Sequence, residues 1–243
     1  MQRASRDQVE QGEPDESPGA ENPRPVVAAF DFDGTLTRGG SVWKFLASVR
    51  SPVRVAGAAA RHLPSLLLGT VSGGPVRDRA KEAVFSELLA GLPEEVFRRR
   101  AEAFGLAHYR RHGREDTRRR LEWHKAEGHL LVIVSASPQC YIEPIARELG
   151  ASGVLATRLE VDAGGKLTGR FEGANCRGRH KAERLVEWWQ AELGSPEAAP
   201  FVWAYGNSAG DRAMLALADI GINAGRLGRL GKLRRFARLR SLA

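Results

Sequence analysis

The chain has only two cysteines, Cys140 and Cys176, among its 243 residues. That is too few for a disulfide framework or a thiolate metal centre, and both read as reduced, packed thiols. Long apolar runs are also missing. Leu130–Val134 is among the strongest, far short of the roughly 20 residues that a helix needs to span a bilayer. No apolar segment near Met1 has signal-peptide form, so the sequence predicts a cytoplasmic protein. Residues 1–24 have almost nothing to bury: six acids and three arginines stand among Pro, Gln, Ser and Gly, the composition of a disordered leader. Residues 226–243 lack acids and carry seven Lys/Arg. Their apolar residues recur at every third position, which spirals around a 3.6-residue helix instead of lining one face, and Gly228 and Gly231 weaken that helix further. The segment reads as a loosely packed basic tail, with peripheral membrane contact as the alternative. The net charge is +8, but no basic face with aromatic or helical readout elements stands out, and no nucleic-acid partner is expected.

What is present begins at Val26-Val27-Ala28-Ala29-Phe30, followed by Asp31-Phe32-Asp33-Gly34-Thr35. Five apolar residues suit a buried parallel strand. In open α/β sheets, ligands bind beyond the carboxyl ends of the strands. A strand-like exit turns Asp31 and Asp33 to one side, where two like charges need a cation or a shared proton. The pair therefore points to a metal site and a carboxylate nucleophile. Asp-Gly is also a common turn dipeptide, and a solvated strand exit would look the same in isolation.

Residues 41–125 read as mostly helical, with no strand signal and no methionine or aromatic stripe. Ser41 is a candidate N-cap for a helix bearing Val42, Phe45, Leu46 and Val49. Further helices are expected over 53–68, 77–90 and 94–112. His108 and His112 are spaced to share a helix face but lack a third ligand, so a solvated face is the expectation. The second clear strand, Leu130–Val134, ends in Ser135-Ala136-Ser137-Pro138. Pro138 suits a helix start with Ser137 as its N-cap, and such a strand-to-helix corner forms a phosphate cradle. Strands are expected over 153–162 and 166–172, at Phe201–Tyr205, and at Ile220–Asn223, which closes the sheet. Two more polar clusters, Asn175-Cys176-Arg177-Gly178-Arg179-His180-Lys181 and Gly206-Asn207-Ser208-Ala209-Gly210-Asp211, stand at a helix start and a strand end.

In that order, DFDGT, SASP, NCRGRHK and GNSAGD resemble the four motifs of the haloacid dehalogenase superfamily, in its class IB phosphoserine-phosphatase-like branch. The resemblance runs from about Val26 to Asn223. It implies an α/β fold: a Rossmann-like core with a parallel sheet (25–41 and 125–225), and a small helical cap (42–124) inserted after the first strand. It also implies a Mg²⁺-dependent phosphatase acting through an aspartyl-phosphate on Asp31, with Asp33 as acid and base. Ser135, Ala136 and Lys181 would bind the phosphoryl group, and Asp31, Asp33, Asn207 and Asp211 would form the metal site. Asn207 departs from the family pattern, which commonly has Asp there; a neutral amide can still ligate a hard cation. For that reason a non-catalytic phosphate-binding or regulatory protein is the competing reading.

The expected partner is a small-molecule or lipid-headgroup phosphate monoester. Phosphoserine phosphatases carry a glutamate shortly after the first motif, whereas Arg38–Trp43 contains no acid. This disfavours free phosphoserine and leaves lipid phosphates such as phosphatidylglycerophosphate in view. Asp78, Glu82 and Glu87, on one expected helix, are the alternative acids for an ammonium.

Overall fold

The computed structural model describes residues 24–72, 74–197, 199–225 and 236–238. The expected leader, Arg24 apart, lies outside the described residues, as does most of the basic tail.

A six-stranded parallel sheet forms the centre, in the order β3-β2-β1-β6-β7-β8. Its strands are β1 (Val26–Phe30), β2 (Leu130–Pro138), β3 (Gly153–Thr157), β6 (Phe201–Gly206), β7 (Ile220–Asn223) and the two-residue β8 (Ala237–Arg238). Two short strands, β4 (Leu159–Val161) and β5 (Leu167–Phe171), pair antiparallel outside it. The apolar runs are continuous because both sheet faces are buried. Along β1, Ala28 and Phe30 enter one core while Val27 and Ala29 enter the other. Leu131 and Ile133 oppose Val132 and Val134 on β2 in the same way. Helices α8 (Arg179–Glu192) and α9 (Arg212–Leu217) cover the second face, with Leu185, Trp189, Met214 and Leu215 inward.

Six helices separate β1 from β2: α1 (Val42–Val49), α2 (Pro52–Arg61), α3 (Leu63–Ser72), α4 (Gly74–Leu89), α5 (Glu94–His112) and α6 (Glu115–Ala126). The last of them belongs to the sheet. Arg120 donates to the Tyr205 hydroxyl at 2.8 Å, and Thr117 Oγ1 donates to the Thr35 carbonyl at 2.9 Å. Just ahead of α6, Arg114 Nη1 donates to the carbonyls of Gly34 (2.6 Å) and Ala224 (2.7 Å), tying the turn after β1 to the end of β7. α4 instead packs on β5, where the Phe85 and Phe171 rings meet edge to face at 5.6 Å. Among the described residues, no helix is long and apolar enough to cross a membrane.

Several local expectations are corrected. Residues 153–162 do not form one strand: the chain breaks at Arg158, sending β3 into the main sheet and β4 into the hairpin. β7 does not close the sheet, since β8 pairs with its outer edge. Strand β2 runs through Pro138, so Ser137 caps nothing, and α7 (Gln139–Leu149) starts after it. Ser41 precedes α1 without a side-chain cap; its hydroxyl lies 2.7 Å from that of Tyr141. His108 is buried, stacked on Phe104 at 5.3 Å, and only His112 stays on the solvent side. Its burial and the neighbouring His112 pull the His108 imidazole down to about 4.

Helices α5 and α7 meet at Gly105, where a Cβ would fall 2.3 Å from the Tyr141 carbonyl oxygen. In a free helix Gly→Ala stabilises by about 1 kcal/mol. Here the obstructing atom is backbone and cannot rotate away. Gly105→Ala is therefore expected to destabilise the protein by about 1–3 kcal/mol in urea unfolding; unchanged or raised stability would show that the two helices pack more loosely than this.

Candidate active site

The strand order places β1 between β2 and β6, so the polar residues after these three strands share one edge of the sheet. After β1 the chain makes a wide turn, closed by the Leu36 and Thr37 amides donating to the Asp31 and Phe32 carbonyls. Phe32 goes into the core while Asp31 and Asp33 line a cavity. Gly34 is required at the turn for two reasons. Its φ is +88°, and a Cβ there would lie 1.9 Å from Asn207 Nδ2.

Asp31 is buried and held at both oxygens. Lys181 Nζ donates to Oδ1 at 2.6 Å and Thr35 Oγ1 to Oδ2 at 2.9 Å. Burial, then the nearby Asp211, raise its carboxyl to about 7 against the pull of Lys181. The same ammonium donates to Asp211 Oδ1 at 2.6 Å. Although burial works against its charge, Asp211 and Asp31 hold Lys181 well above the usual lysine range. On Asp211, burial acts upward but Lys181 and Ser208 outweigh it, leaving the carboxyl below its ordinary value. Its second oxygen accepts from the Asn207 amide (3.2 Å), the Ser208 amide (2.9 Å) and the Ser208 hydroxyl (2.8 Å). Asp211 thus shapes the loop that presents Asn207.

Asp33 is engaged separately, accepting from the Ser41 amide at 2.7 Å and from the Ser137 hydroxyl. Burial raises its carboxyl in spite of these donors. Ser135 is buried below, its Oγ accepting from the Ser137 amide at 3.1 Å. Asp31, Asp33, Ser135, Ala136, Lys181 and Asp211 all line one cavity of about 380 Å³. Asn207 stands behind it, against Gly34.

No cluster of three or more His, Cys, Asp or Glu able to hold a metal occurs among the described residues. The candidate donor set is of another kind: the Asp31 carboxylate, the Asp33 carbonyl and the Asn207 amide oxygen. Asn207 Oδ1 is buried without a hydrogen-bond partner, an expensive state that a cation would relieve. All three donors are hard oxygens of the type Mg²⁺ prefers. The residues fit such an ion.

Of the opposite wall, Asn175 and Arg177 belong to the NCRGRHK motif and Asp78 was a candidate acid, whereas Arg77 and Lys81 stood in no motif. Helix α4 contributes Arg77, Asp78 and Lys81, and the loop before α8 contributes Asn175 and Arg177. Lys81 is half-buried, its Nζ donating to the Ala136 carbonyl at 2.6 Å and to Asn175 Oδ1 at 3.1 Å. Burial draws its ammonium down to about 8 although Asp78 and Asp33 favour the charge. The available signal was spacing, since Lys81 precedes the buried Val84 and Phe85 by three and four residues and so shares their face. Of the three acids considered for an ammonium, only Asp78 lines the cavity, and Asn175 Nδ2 already donates to it at 2.6 Å. Glu82 accepts from the Phe171 amide, and Glu87 pairs with Arg61 and His62. A second cavity of about 400 Å³ lies between α5, α7 and the β4–β5 hairpin and contains none of the strand-end groups. Convergent chemistry, more than volume, identifies the site.

A family model for haloacid dehalogenase-like hydrolases matches residues 28–216. Protein CicA of Caulobacter vibrioides (strain NA1000 / CB15N) is 34% identical over 195 residues, which is 80% of this chain and 84% of CicA. A Bordetella pertussis Tohama I protein of unknown function has a similar structure, with a TM-score of 0.70 at 23% identity, covering 88% of this chain and 98% of that one. A phosphoserine phosphatase solved as an analogue of its phospho-aspartyl intermediate gives 0.60 at 21% identity, over 88% and 91%. At these identities the two structures speak for the fold.

If Asn207 Oδ1 is a ligand, Asn207→Leu should weaken Mg²⁺ binding about tenfold or more in calorimetric titration. Asn207→Asp should bind at least as tightly as the wild type. Equal Mg²⁺ affinity in the leucine variant would remove Asn207 from the site.

Proposed function

The chain belongs to the haloacid dehalogenase-like hydrolases, and from that membership we propose that it is a Mg²⁺-dependent phosphatase of phosphate monoesters, with Asp31 as nucleophile. The observation that carries the reading is Asp31 itself, at the carboxyl end of the central strand, oriented by Lys181 and Thr35 and facing the cavity.

In this mechanism an Asp31 oxygen attacks phosphorus and forms the acyl phosphate while the bond to the leaving oxygen breaks. Asp33 gives that oxygen its proton, and the upward pull of burial on its carboxyl suits a group that must hold one. Water then attacks phosphorus, Asp33 takes its proton, and Asp31 is released with inorganic phosphate. Lys181, the Ser135 hydroxyl and the Ala136 amide stabilise the phosphoryl oxygens. Asp31, the Asp33 carbonyl and Asn207 would hold Mg²⁺, with Asp211 bracing the loop behind it. When bound, the ion supplies positive charge to the phosphoryl oxygens. The helices inserted after β1 act as a cap, with α1 and α4 walling the cavity opposite the carboxylates.

The leaving group best suited to that wall is uncharged or anionic. Arg77, Lys81 and Arg177 face it, against a single acid, Asp78, whose oxygen is taken by Asn175. A free ammonium would meet more repulsion than pairing there.

Hydrolysis of an aryl phosphate with Mg²⁺ separates an enzyme from a non-catalytic phosphate binder. Asp31→Asn should abolish turnover with the fold intact by circular dichroism, and Asp33→Asn should lose on the order of a hundredfold or more in kcat. Near-normal kcat in Asp31→Asn would sink the mechanism. For leaving groups, kcat/KM for phosphoserine should not exceed that for glycerol phosphate or phosphatidylglycerophosphate by more than about tenfold, roughly 1.4 kcal/mol of transition-state binding.

Lys81 adds a pH dependence. Its charge is present below about 8 and is lost as pH rises through that value. KM for an anionic leaving group should therefore climb above about pH 8, with little change for a neutral one. The climb should vanish in Lys81→Met, and its persistence there would assign it to another group.

A further inference from the structure

Between Asp33 and Asp78 the chain contains no acidic residue, yet it carries Arg38, Lys44, Arg50, Arg54, Arg61 and Arg77. Five of the six large apolar side chains that the described residues leave exposed belong to the same stretch: Trp43, Val53, Leu63, Leu67 and Leu68. Helix α3 has no charged residue at all, although Leu63 is 50% and Leu68 56% exposed. Such a face is unusual on an isolated soluble chain and marks a surface that something covers.

The patch continues into the cavity. Leu66 and Trp43 line it, and Leu63 precedes Leu66 by one helical turn on the outside. Apolar surface thus runs from the inner wall over the lip and out along α3. The cations of the same stretch are largely uncommitted to acids, Lys44 Nζ lying 3.5 Å from His112 Nε2. Arg61 is paired with Glu87, and Arg50 donates to the Leu88 carbonyl at 2.6 Å. Among the described residues no carboxylate forms an ion pair with Arg38, Lys44 or Arg54. All three are exposed.

We infer that the α1–α3 face docks on an anionic lipid bilayer, bringing the mouth of the cavity against the headgroup layer. Exposed Leu and Trp, with Arg and Lys in the same stretch and Glu87 the acid set against Arg61 and His62, meet both halves of an interface: acyl chains for the apolar side chains and anionic headgroups for the cations. A second copy of the chain would oppose like charges across the contact. The inference is independent of the phosphatase reading, because lipid contact is measured without turnover.

Flotation of the full chain with vesicles of phosphatidylcholine alone, and of phosphatidylcholine with phosphatidylglycerol, tests it. Retention should be stronger on the anionic vesicles and fall as salt is raised. Leu63→Gln with Leu68→Gln should weaken partition about tenfold or more, with circular dichroism and the thermal midpoint unchanged. Arg54→Glu should weaken it on the anionic vesicles only. Absent or composition-independent retention overturns the inference. So does unchanged partition of the leucine variant, which would move the contact elsewhere, for instance to the basic segment 226–243. A dimer in size-exclusion chromatography that the leucine substitutions dissolve would assign the face to a second copy. Should the leucine variant fail to fold, the two vesicle compositions and Arg54→Glu still decide.

Discussion

A single buried ammonium holds the candidate active site together. Lys181 lies 2.6 Å from both Asp31 and Asp211, and all three residues are buried. Two carboxylates so placed would repel strongly without it, and a buried lysine without them would shed its proton. Removing either kind of partner would leave an uncompensated buried charge, the costly half of any buried ion pair. The contact also ties distant parts of the chain. Asp31 follows β1, Asp211 ends the loop after β6, and Lys181 sits in the first turn of α8. Gly178, at φ +62°, turns the chain into that helix, and its amide donates to the Gly210 carbonyl at 2.8 Å. One loop thereby buttresses the other.

Sheet order is what makes the bridge feasible. In a parallel sheet every strand ends at the same edge, and β1 has β2 and β6 as its neighbours despite their distance in sequence. Phe30 pairs with Ile133 on one side and Tyr205 on the other, so the residues that follow emerge side by side. The floor of the site comes from these strand ends. The opposite wall comes from elements added outside the sheet, where α4 is fastened by Lys81 to the Ala136 carbonyl and by Glu82 to the Phe171 amide.

How much of this was legible in the sequence follows the same division. β1, β2 and β6 were readable because burial on both faces leaves unbroken apolar runs, and each ends in a polar cluster that a core strand would not tolerate. Lys181 looked like a surface residue by type; only its place within NCRGRHK identified it. Ser137 misled, since a serine before a helix reads as a cap, whereas tertiary contact turned its hydroxyl to Asp33. His108 misled for the opposite reason: a histidine pair without a third ligand suggested a solvated face, but Phe104 and Phe32 flank the ring. Lys81, Asn175 and Arg177 could not be joined in sequence, because their meeting depends on the packing of α4 against a hairpin about ninety residues downstream, a long-range contact that no local pattern encodes.

Asn207 brings these constraints together. With Asp33 and Asp211 already around Asp31, and Lys181 the ammonium shared by Asp31 and Asp211, burial and mutual repulsion lift the Asp31 carboxyl to about 7. A carboxylate at 207 would add another negative charge to this cluster, tolerable only when a cation is bound. The amide gives up that charge while keeping an oxygen, Oδ1, buried and unpartnered. Its nitrogen closes against Gly34, where only the absence of a Cβ leaves room. As a metal ligand this neutral side chain would reduce attraction for the ion but relieve repulsion among the acids that remain. In the proposed phosphatase this balance shifts the task of drawing in the cation toward Asp31, the same group that must then act as nucleophile.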